Sequence, residues 1–115
     1  MIPGGGEGCT PGYWKQSHHF DSWVGHAPRD LFNTVFGVTS SFGGTLLEAL
    51  KRGGGKEKAL GRHAVAALLN AASSVYYDLT EDEVKEAVQD AYASGDFNGV
   101  KGDLEELNEQ GCPLK

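Results

Sequence analysis

The sequence has little of several features, and each shortage excludes a class of protein. No run of apolar residues approaches the roughly eighteen that a transmembrane helix requires. Only 10 basic side chains stand against 16 acidic ones in 115 residues, for a net charge of −6. Nucleic-acid-binding domains usually carry a basic surface. We therefore expect neither insertion into a membrane nor a nucleic-acid partner.

Sequence motifs of catalysis and metal binding are also scarce. The serines lack a GxSxG context, no HExxH occurs, and the two cysteines do not form a CxxC pair. Lys56 follows three glycines, but the spacing of a phosphate-binding loop is absent. The acidic stretch 90–103 fails the position pattern of an EF-hand. These observations predict that the chain is not an enzyme and has no cofactor.

The two cysteines lie near opposite ends of the chain, at Cys9 and Cys112. Two thiolates are too few for an all-cysteine zinc site, which needs four. A disulfide between them would close a loop of about 100 residues and stabilise the fold by about 4 to 5 kcal/mol. Such a bond persists in oxidising compartments. We predict this disulfide and an extracellular or cell-surface location, with two free thiols in a cytosolic protein as the alternative.

Helical patterns cover most of the chain, and no segment alternates convincingly with the period of a strand. Thr45 with Glu48, and Thr80 with Glu83, have the spacing of capping boxes. Of the remaining helices, one is expected to open at Pro11, and the next to run from Ala27-Pro28 to Gly37. A third should run from Lys56 to about Ala72. The last should run from about Asn98 to Glu109, with Gly111 at the C′ position. The prediction is an all-α fold, a compact bundle of five to six short helices around a central alanine-faced helix, Lys56–Ala72.

Glycine is abundant, with 17 residues, and clusters where the predicted segments join. The Gly-rich residues 1–8 predict a flexible N-terminal arm, and residues 9–115 predict a single helical domain closed by the two cysteines. The start of the chain lacks the basic and apolar regions of a signal peptide. If the disulfide forms, we expect the chain to be a mature fragment or an excised domain of an exported protein.

Four histidines are the strongest candidates for a binding site. His63 is on the predicted central helix, two turns before Asn70 and on about the same side. A buried polar residue on such a face must find a partner, and the N-terminal segment could supply one as a polar staple. Three imidazoles, or two with a carboxylate, could instead bind a divalent metal such as zinc or copper. The candidates for either role are His18, His19, Asp21, His26, His63 and Asn70.

Aromatic residues are dense in the N-terminal segment, including Tyr13, Trp14 and Trp23. In a small domain such residues usually form the core, and we favour that interpretation. The alternative is an aromatic surface on which a glycan or a proline-rich peptide could stack, and it requires at least one tryptophan to be exposed in a groove.

Several segments in order resemble a recurring, largely uncharacterised module of secreted bacterial proteins. These segments are CTPGYWKQ from Cys9, HFDSW from His19, TLLEAL from Thr45, ALGRHAVAALLNA from Ala59 and NEQGCPL from Asn108. The family occurs in large exported, often multidomain proteins and has no established activity. The resemblance implies that Cys9 and Cys112 are partners and that Trp14, Trp23, His63 and Asn70 are signature positions.

Together these features predict a non-catalytic extracellular module with a structural or interaction role. Its expected partners are other protein domains or copies of itself, with self-assembly or a place in a larger surface protein as the expected settings. The alternative is a metal- or small-ligand-binding domain that uses His63 with the N-terminal histidine and aspartate residues.

Overall fold

The computed structural model describes residues 6–114, and this part of the chain is helical, as predicted. It contains six α-helices and one 3-10 helix, together with two isolated β-bridges. The elements are α1 Pro11–Trp14, the 3-10 helix Ser17–Ser22, α2 Phe32–Phe36, α3 Leu46–Lys51, α4 Glu57–Ala72, α5 Glu81–Ser94 and α6 Phe97–Asn108. Within residues 6–114, no helix is both long and apolar enough to cross a bilayer.

Helix α4 is the central element, which confirms the prediction from its alanine-rich face. It packs against α1, α3, α5 and α6, and every residue from Ala59 to Asn70 except Arg62 is buried. Small side chains let the neighbours approach closely. At Gly61, an added Cβ would lie 2.9 Å from the ring of Phe42. These four helices surround α4 and bury apolar side chains against it, whereas α2 packs against α5.

Both predicted capping boxes are present. In α3 the hydroxyl of Thr45 accepts the Glu48 N–H at 3.1 Å, and the Glu48 carboxylate accepts the Thr45 N–H at 2.8 Å. The same reciprocal pair opens α5 between Thr80 and Glu83. Each box satisfies two N–H groups that the start of a helix leaves without an intrahelical partner. Helix α5 ends at Gly95, whose φ of 82° glycine adopts without strain.

The expected helix start at Ala27-Pro28 is wrong, because α2 begins only at Phe32. The Asp30 carboxylate accepts the Ala27 N–H at 2.8 Å and closes a turn there. The Asp30 carbonyl accepts the Leu46 N–H, and the Phe32 N–H donates to the Gly44 carbonyl. These contacts to the next segment occupy backbone groups that a longer helix would need.

The ends of the described chain lie side by side. Of the predicted flexible arm, residues 1–5 lie outside the described residues. The last three residues of the arm are fixed by backbone hydrogen bonds to the domain. The Gly6 N–H donates to the Asp78 carboxylate. The Glu7 N–H donates to the Tyr76 carbonyl, and the Gly8 N–H donates to the Gly111 carbonyl. An added Cβ on Gly8 would overlap the carbonyl oxygen of Leu107, so only glycine fits there. Gly111 lies two residues past the C-cap Glu109, not at the predicted C′ position, because it pairs with Gly8.

Candidate functional site

A disulfide joins Cys9 to Cys112, as predicted, and fastens the two ends of the domain together. The Cα atoms are 4.4 Å apart across a sequence separation of 103 residues. Cys9 is fully buried, and Cys112 is half-buried. Next to the bond, the Gly8 N–H donates to the Gly111 carbonyl at 3.0 Å in an antiparallel bridge. We call the segments 6–9 and 110–113, with their disulfide, the clasp.

The side chain of Asn70, near the end of α4, holds the clasp in place. Its Oδ1 accepts the Cys9 N–H at 2.9 Å, and its Nδ2 donates to the Cys9 carbonyl at 2.9 Å. One amide side chain thus pairs with both backbone groups of one residue, as a neighbouring strand would. Asn70 is fully buried, so these bonds are shielded from competing water.

Trp14 joins the same group from α1. Its indole Nε1 donates to Asn70 Oδ1 at 3.1 Å, and its own carbonyl accepts the indole N–H of Trp23 at 3.3 Å. Trp14 is fully buried and Tyr13 nearly so, whereas Trp23 is half-buried. The structure therefore places Trp14 and Tyr13 in the core and does not form the alternative aromatic surface from them.

Asn108, on α6, extends the group towards His63. Its Oδ1 accepts the Tyr77 hydroxyl at 2.6 Å and the Asn70 Nδ2 at 3.1 Å. Its Nδ2 donates to the His63 carbonyl at 3.1 Å and to His63 Nδ1 at 3.3 Å. We call Asn70, Asn108, Tyr77, His63 and Trp14 the polar network. It connects α1, α4 and α6 with the segment that precedes α5.

The network keeps its titratable members uncharged. Burial lowers the pKa of His63, and the nearby Glu105 carboxylate, 4.0 Å from Nε2, offsets only part of this effect. Burial also raises the pKa of Tyr77 above its ordinary value. A neutral His63 that accepts at Nδ1 carries its proton on Nε2, which faces Glu105. The geometry and the direction of both pKa shifts agree on a neutral, hydrogen-bonded centre.

The structure brings together only part of the predicted histidine set. His63 and Asn70 share the polar network, but the partner of His63 is Asn108, not a residue of the N-terminal segment. That segment reaches Asn70 instead, through Cys9 and Trp14. The expected partner was wrong because the register of α6 places an amide beside His63.

The other histidines lie elsewhere. His19 is stacked on the Tyr13 ring with centroids 3.9 Å apart, and His18 lies against His19. His26 Nε2 is 2.7 Å from a carboxylate oxygen of Glu81, and Asp21 is exposed. In the described range 6–114, no three histidine, cysteine or acidic side chains are grouped so that they could hold a metal ion.

Two members of the network, Tyr77 and Asn108, were missed in the sequence. Asn108 had a signal, since it follows Leu104 by one turn on the apolar stripe of α6, where a polar residue needs a partner. Tyr77 had no such signal, because it lies in an irregular connection without a period. Both are buried, and their partners are far away in the sequence.

A shallow cleft of about 600 Å³ lies beside the disulfide. Its lining mixes backbone, polar and aromatic groups, namely Gly8, Thr10, Gly12, Tyr13, Gln16, His19, Asn108, Glu109, Gly111 and Cys112. The Tyr13 hydroxyl is 3.1 Å from the Ser22 hydroxyl and donates to the Leu114 carbonyl at 3.3 Å. Of the two disulfide cysteines, half-buried Cys112 lines this cleft and fully buried Cys9 does not.

Comparison with known proteins finds no matching family model, no matching curated protein and no matching solved structure. The resemblance to a module of secreted bacterial proteins therefore stays a prediction. What the chain does has to be argued from the geometry of the clasp and the polar network.

Proposed function

We propose that the chain is a non-catalytic extracellular module with a structural or interaction role. The observation that carries this proposal is the Cys9–Cys112 disulfide, which joins the ends of the domain. A bond of this kind persists in secreted and surface proteins, and reducing conditions in the cytosol would break it. It would also stabilise the domain by about 4 to 5 kcal/mol, a large share of the about 5 to 15 kcal/mol by which proteins are typically stable.

The polar network supports the non-catalytic part of the proposal. A catalytic group needs a proton or a lone pair directed at a substrate. In the network, both oxygens and both nitrogens of Asn70 and Asn108 are used within the domain, and both side chains are fully buried. His63 directs one nitrogen at Asn108 and the other towards Glu105. These are the features of a structural centre.

The course of the backbone supports a place in a larger surface protein or assembly. Residues 6–9 and 110–113 lie side by side, joined by one antiparallel bridge and by the disulfide. A domain with this geometry can be carried by a longer chain without separating the segments on either side of it. Other protein domains or further copies are the partners that the proposal includes, and the net charge of −6 disfavours nucleic acid.

The test labels thiols on intact cells that make the protein. A maleimide that does not cross membranes is applied with and without a reductant that also stays outside. We expect labelling after reduction and none before it, because both sulfurs are in the disulfide on the outside of the cell and reduction frees the thiol of half-buried Cys112. Labelling without reductant, or only after lysis, would contradict the proposal.

The proposal also includes no resident cofactor, and a native mass spectrum of the chain purified from its own cells checks this. We expect the polypeptide mass less two hydrogens. A stoichiometric metal or small-molecule adduct would overturn this part of the proposal. The alternative, a ligand-binding domain centred on His63, would then be tested by substitution of His63.

A further inference from the structure

The segment between α3 and α4 is a basic loop that projects into solvent. We call residues 51–58 the basic loop. It contains four of the 10 basic side chains of the protein, Lys51, Arg52, Lys56 and Lys58. Residues 53–56 are all exposed, and an added Cβ on Gly53 or Gly55 would meet no atom within 4 Å. The loop is therefore open to solvent at Gly53 and Gly55, and on another side it borders a cleft that Ser41 and Phe97 also line.

Although it projects, the basic loop is held in one shape. The Arg62 guanidinium, from the second turn of α4, donates from Nη1 to the carbonyls of Arg52 and Gly54, both at 2.8 Å. The Arg52 guanidinium lies over the Phe42 ring, 5.3 Å from its centroid. A loop fixed in this way loses little conformational entropy when it binds.

One carboxylate, Glu57, lies within the basic loop and another, Asp96, lies beside it, and both are already engaged. Burial alone would raise the pKa of Glu57, but hydrogen bonds from Ser41 and Tyr92 outweigh this effect and lower it, so Glu57 stays ionised and bound. Asp96 accepts the Gly99 N–H at the start of α6. The four cations of the loop outnumber these two bound anions, so this end of the molecule is positive.

The opposite end of α4, about 24 Å away at 1.5 Å per residue, is acidic. Five carboxylates lie around the clasp and the start of α5, and we call them, with Tyr76, the acidic face. They are Glu7, Asp78, Glu81, Asp82 and Glu109. Asp82 and Glu109 are exposed, and no hydrogen bond among the described residues uses their carboxylates. Lys85 lines the same region, and the Glu81 carboxylate lies 2.7 Å from His26 Nε2.

Tyr76 gives the acidic face an aromatic centre. Its side chain is 64% exposed, the most of any large hydrophobic residue described. Its backbone is fixed, because its N–H donates to the Glu7 carboxylate at 2.9 Å and its carbonyl accepts the Glu7 N–H at 3.1 Å. An exposed ring among carboxylates is a good receptor for lysine or arginine, through both charge and cation–π attraction.

We infer that the basic loop of one copy docks on the acidic face of the next, so that the module associates head to tail. This inference rests on the proposed function and specifies its partner as a second copy of the chain. At 0.1 M salt the Debye length is about 10 Å, and the two ends are about 24 Å apart. Charges at one end are therefore screened from those at the other, and the local attraction outweighs the repulsion that arises from the net charge of −6. A contact between different surfaces of identical copies does not close on itself and builds chains.

The test measures the mass distribution of the oxidised full chain by sedimentation velocity over a range of concentrations. At about 0.1 M salt, where the Debye length is about 10 Å, we expect association that grows with concentration and weakens at least about tenfold in its constant by about 0.5 M salt. A single monomeric species at every concentration and salt would overturn the inference. It would leave the proposed function intact, since the thiol-labelling experiment tests that separately.

Two charge-reversed variants sharpen this test. One carries Lys56→Glu with Lys58→Glu in the basic loop, and the other carries Asp82→Lys with Glu109→Lys on the acidic face. The first variant has acidic side chains at both ends, and the second has lost the net negative charge of its acidic face, so each alone should associate less than the wild type at about 0.1 M salt. Mixed in equal amounts, the unaltered basic loop of the second variant can dock on the unaltered acidic face of the first, so association should return as a dimer of the two variants. A mixture that stays monomeric, while the wild type associates, would contradict the proposed contact.

A matched control separates the location of the charge from its amount. Asp90→Lys with Asp103→Lys changes the net charge as much as the acidic-face variant, but at exposed positions along α5 and α6 outside the acidic face. This control should associate at least as strongly as the wild type, because it lowers the net repulsion. Loss of association in the control equal to that in the acidic-face variant would overturn the inference.

Discussion

The two ends of helix α4 are fixed in different ways. At its C-terminal end, the polar network and the disulfide connect α4 to both ends of the described chain through buried hydrogen bonds. At its N-terminal end, the basic loop is exposed, Lys56 has a left-handed φ of 53°, and no side chain caps the helix. The clasp end therefore determines stability, whereas the loop end is free to serve contacts with other molecules.

Removal of the disulfide should give the largest effect on the clasp end. The double variant Cys9→Ser with Cys112→Ser should lose about 4 to 5 kcal/mol of unfolding free energy, because the unfolded chain is no longer closed into a loop of about 100 residues. Urea unfolding followed by circular dichroism measures this loss. Reductant should lower the unfolding free energy of the wild type by the same amount as the double substitution does. It should leave the unfolding free energy of the double variant unchanged. A loss under about 1 kcal/mol would show that the clasp does not hold the fold.

Substitution of Asn70 by alanine should be nearly as damaging. Four buried groups lose their partner in this variant, namely the Cys9 N–H, the Cys9 carbonyl, the Trp14 indole N–H and one lone pair of Asn108. We therefore expect the free energy of unfolding to fall by about 3 to 4 kcal/mol. Asn33→Ala is the matched control, since Asn33 accepts one hydrogen bond, from the Ser40 N–H. The control should lose about 1 kcal/mol in the same urea experiment. If both variants lose the same unfolding free energy, the hydrogen bonds of Asn70 contribute no more to stability than the single bond of Asn33.

At the loop end, Lys56→Gly should stabilise the protein slightly. Glycine adopts the positive φ of residue 56 without the steric cost that lysine bears, so we expect a gain of up to about 1 kcal/mol. The midpoint of thermal unfolding measures the gain. Gly53→Ala, at an exposed position with open space for a Cβ, serves as the control and should change stability by less than about 0.5 kcal/mol. A marked loss in Lys56→Gly would show that the lysine side chain supports the loop.

Acidification should give the smallest effect, and again at the clasp end. The folded pKa of His63 is lowered, so the unfolded state binds more protons than the folded state below about pH 6.5. Stability is therefore complete above that pH and falls as the pH drops towards the lowered pKa. Burial dominates this shift, Glu105 opposes it, and Arg62 and Lys101 add to it.

The variant His63→Gln checks this pH dependence. Between about pH 7 and pH 5 its unfolding free energy should fall less steeply than that of the wild type, because its side chain does not titrate. Identical slopes in urea unfolding across this range would contradict a neutral, buried His63.

Local features of the fold could be predicted from the sequence, and the long-range ones could not. The capping boxes of Thr45 and Thr80 and the glycine stop at Gly95 are correct, because neighbouring residues determine them. The predicted start of α2 was wrong, because the backbones of Asp30 and Phe32 form hydrogen bonds with Leu46 and Gly44, which belong to the next segment of the chain. Propensity within one segment carries no information on such contacts.

The same distinction applies to the candidate site. Cys9, Cys112, Asn70 and His63 stood out because each is a chemically exceptional residue in its surroundings. The contact between Asn70 and Asn108 spans 38 positions and depends on how α6 packs along α4. That register is a property of the folded core, so the sequence could propose a polar staple but could not name its partner.

Hydrogen exchange of the oxidised chain, resolved by residue in NMR spectra, tests the central claim most directly. The Cys9 amide lies in the clasp and donates to Asn70, so it should exchange only when the whole domain unfolds, as slowly as the buried amides of α4. The amides of residues 53–55 in the basic loop should exchange orders of magnitude faster. If the Cys9 amide exchanges as fast as those of the loop, the clasp end is not the stable end of the molecule, and the account is wrong.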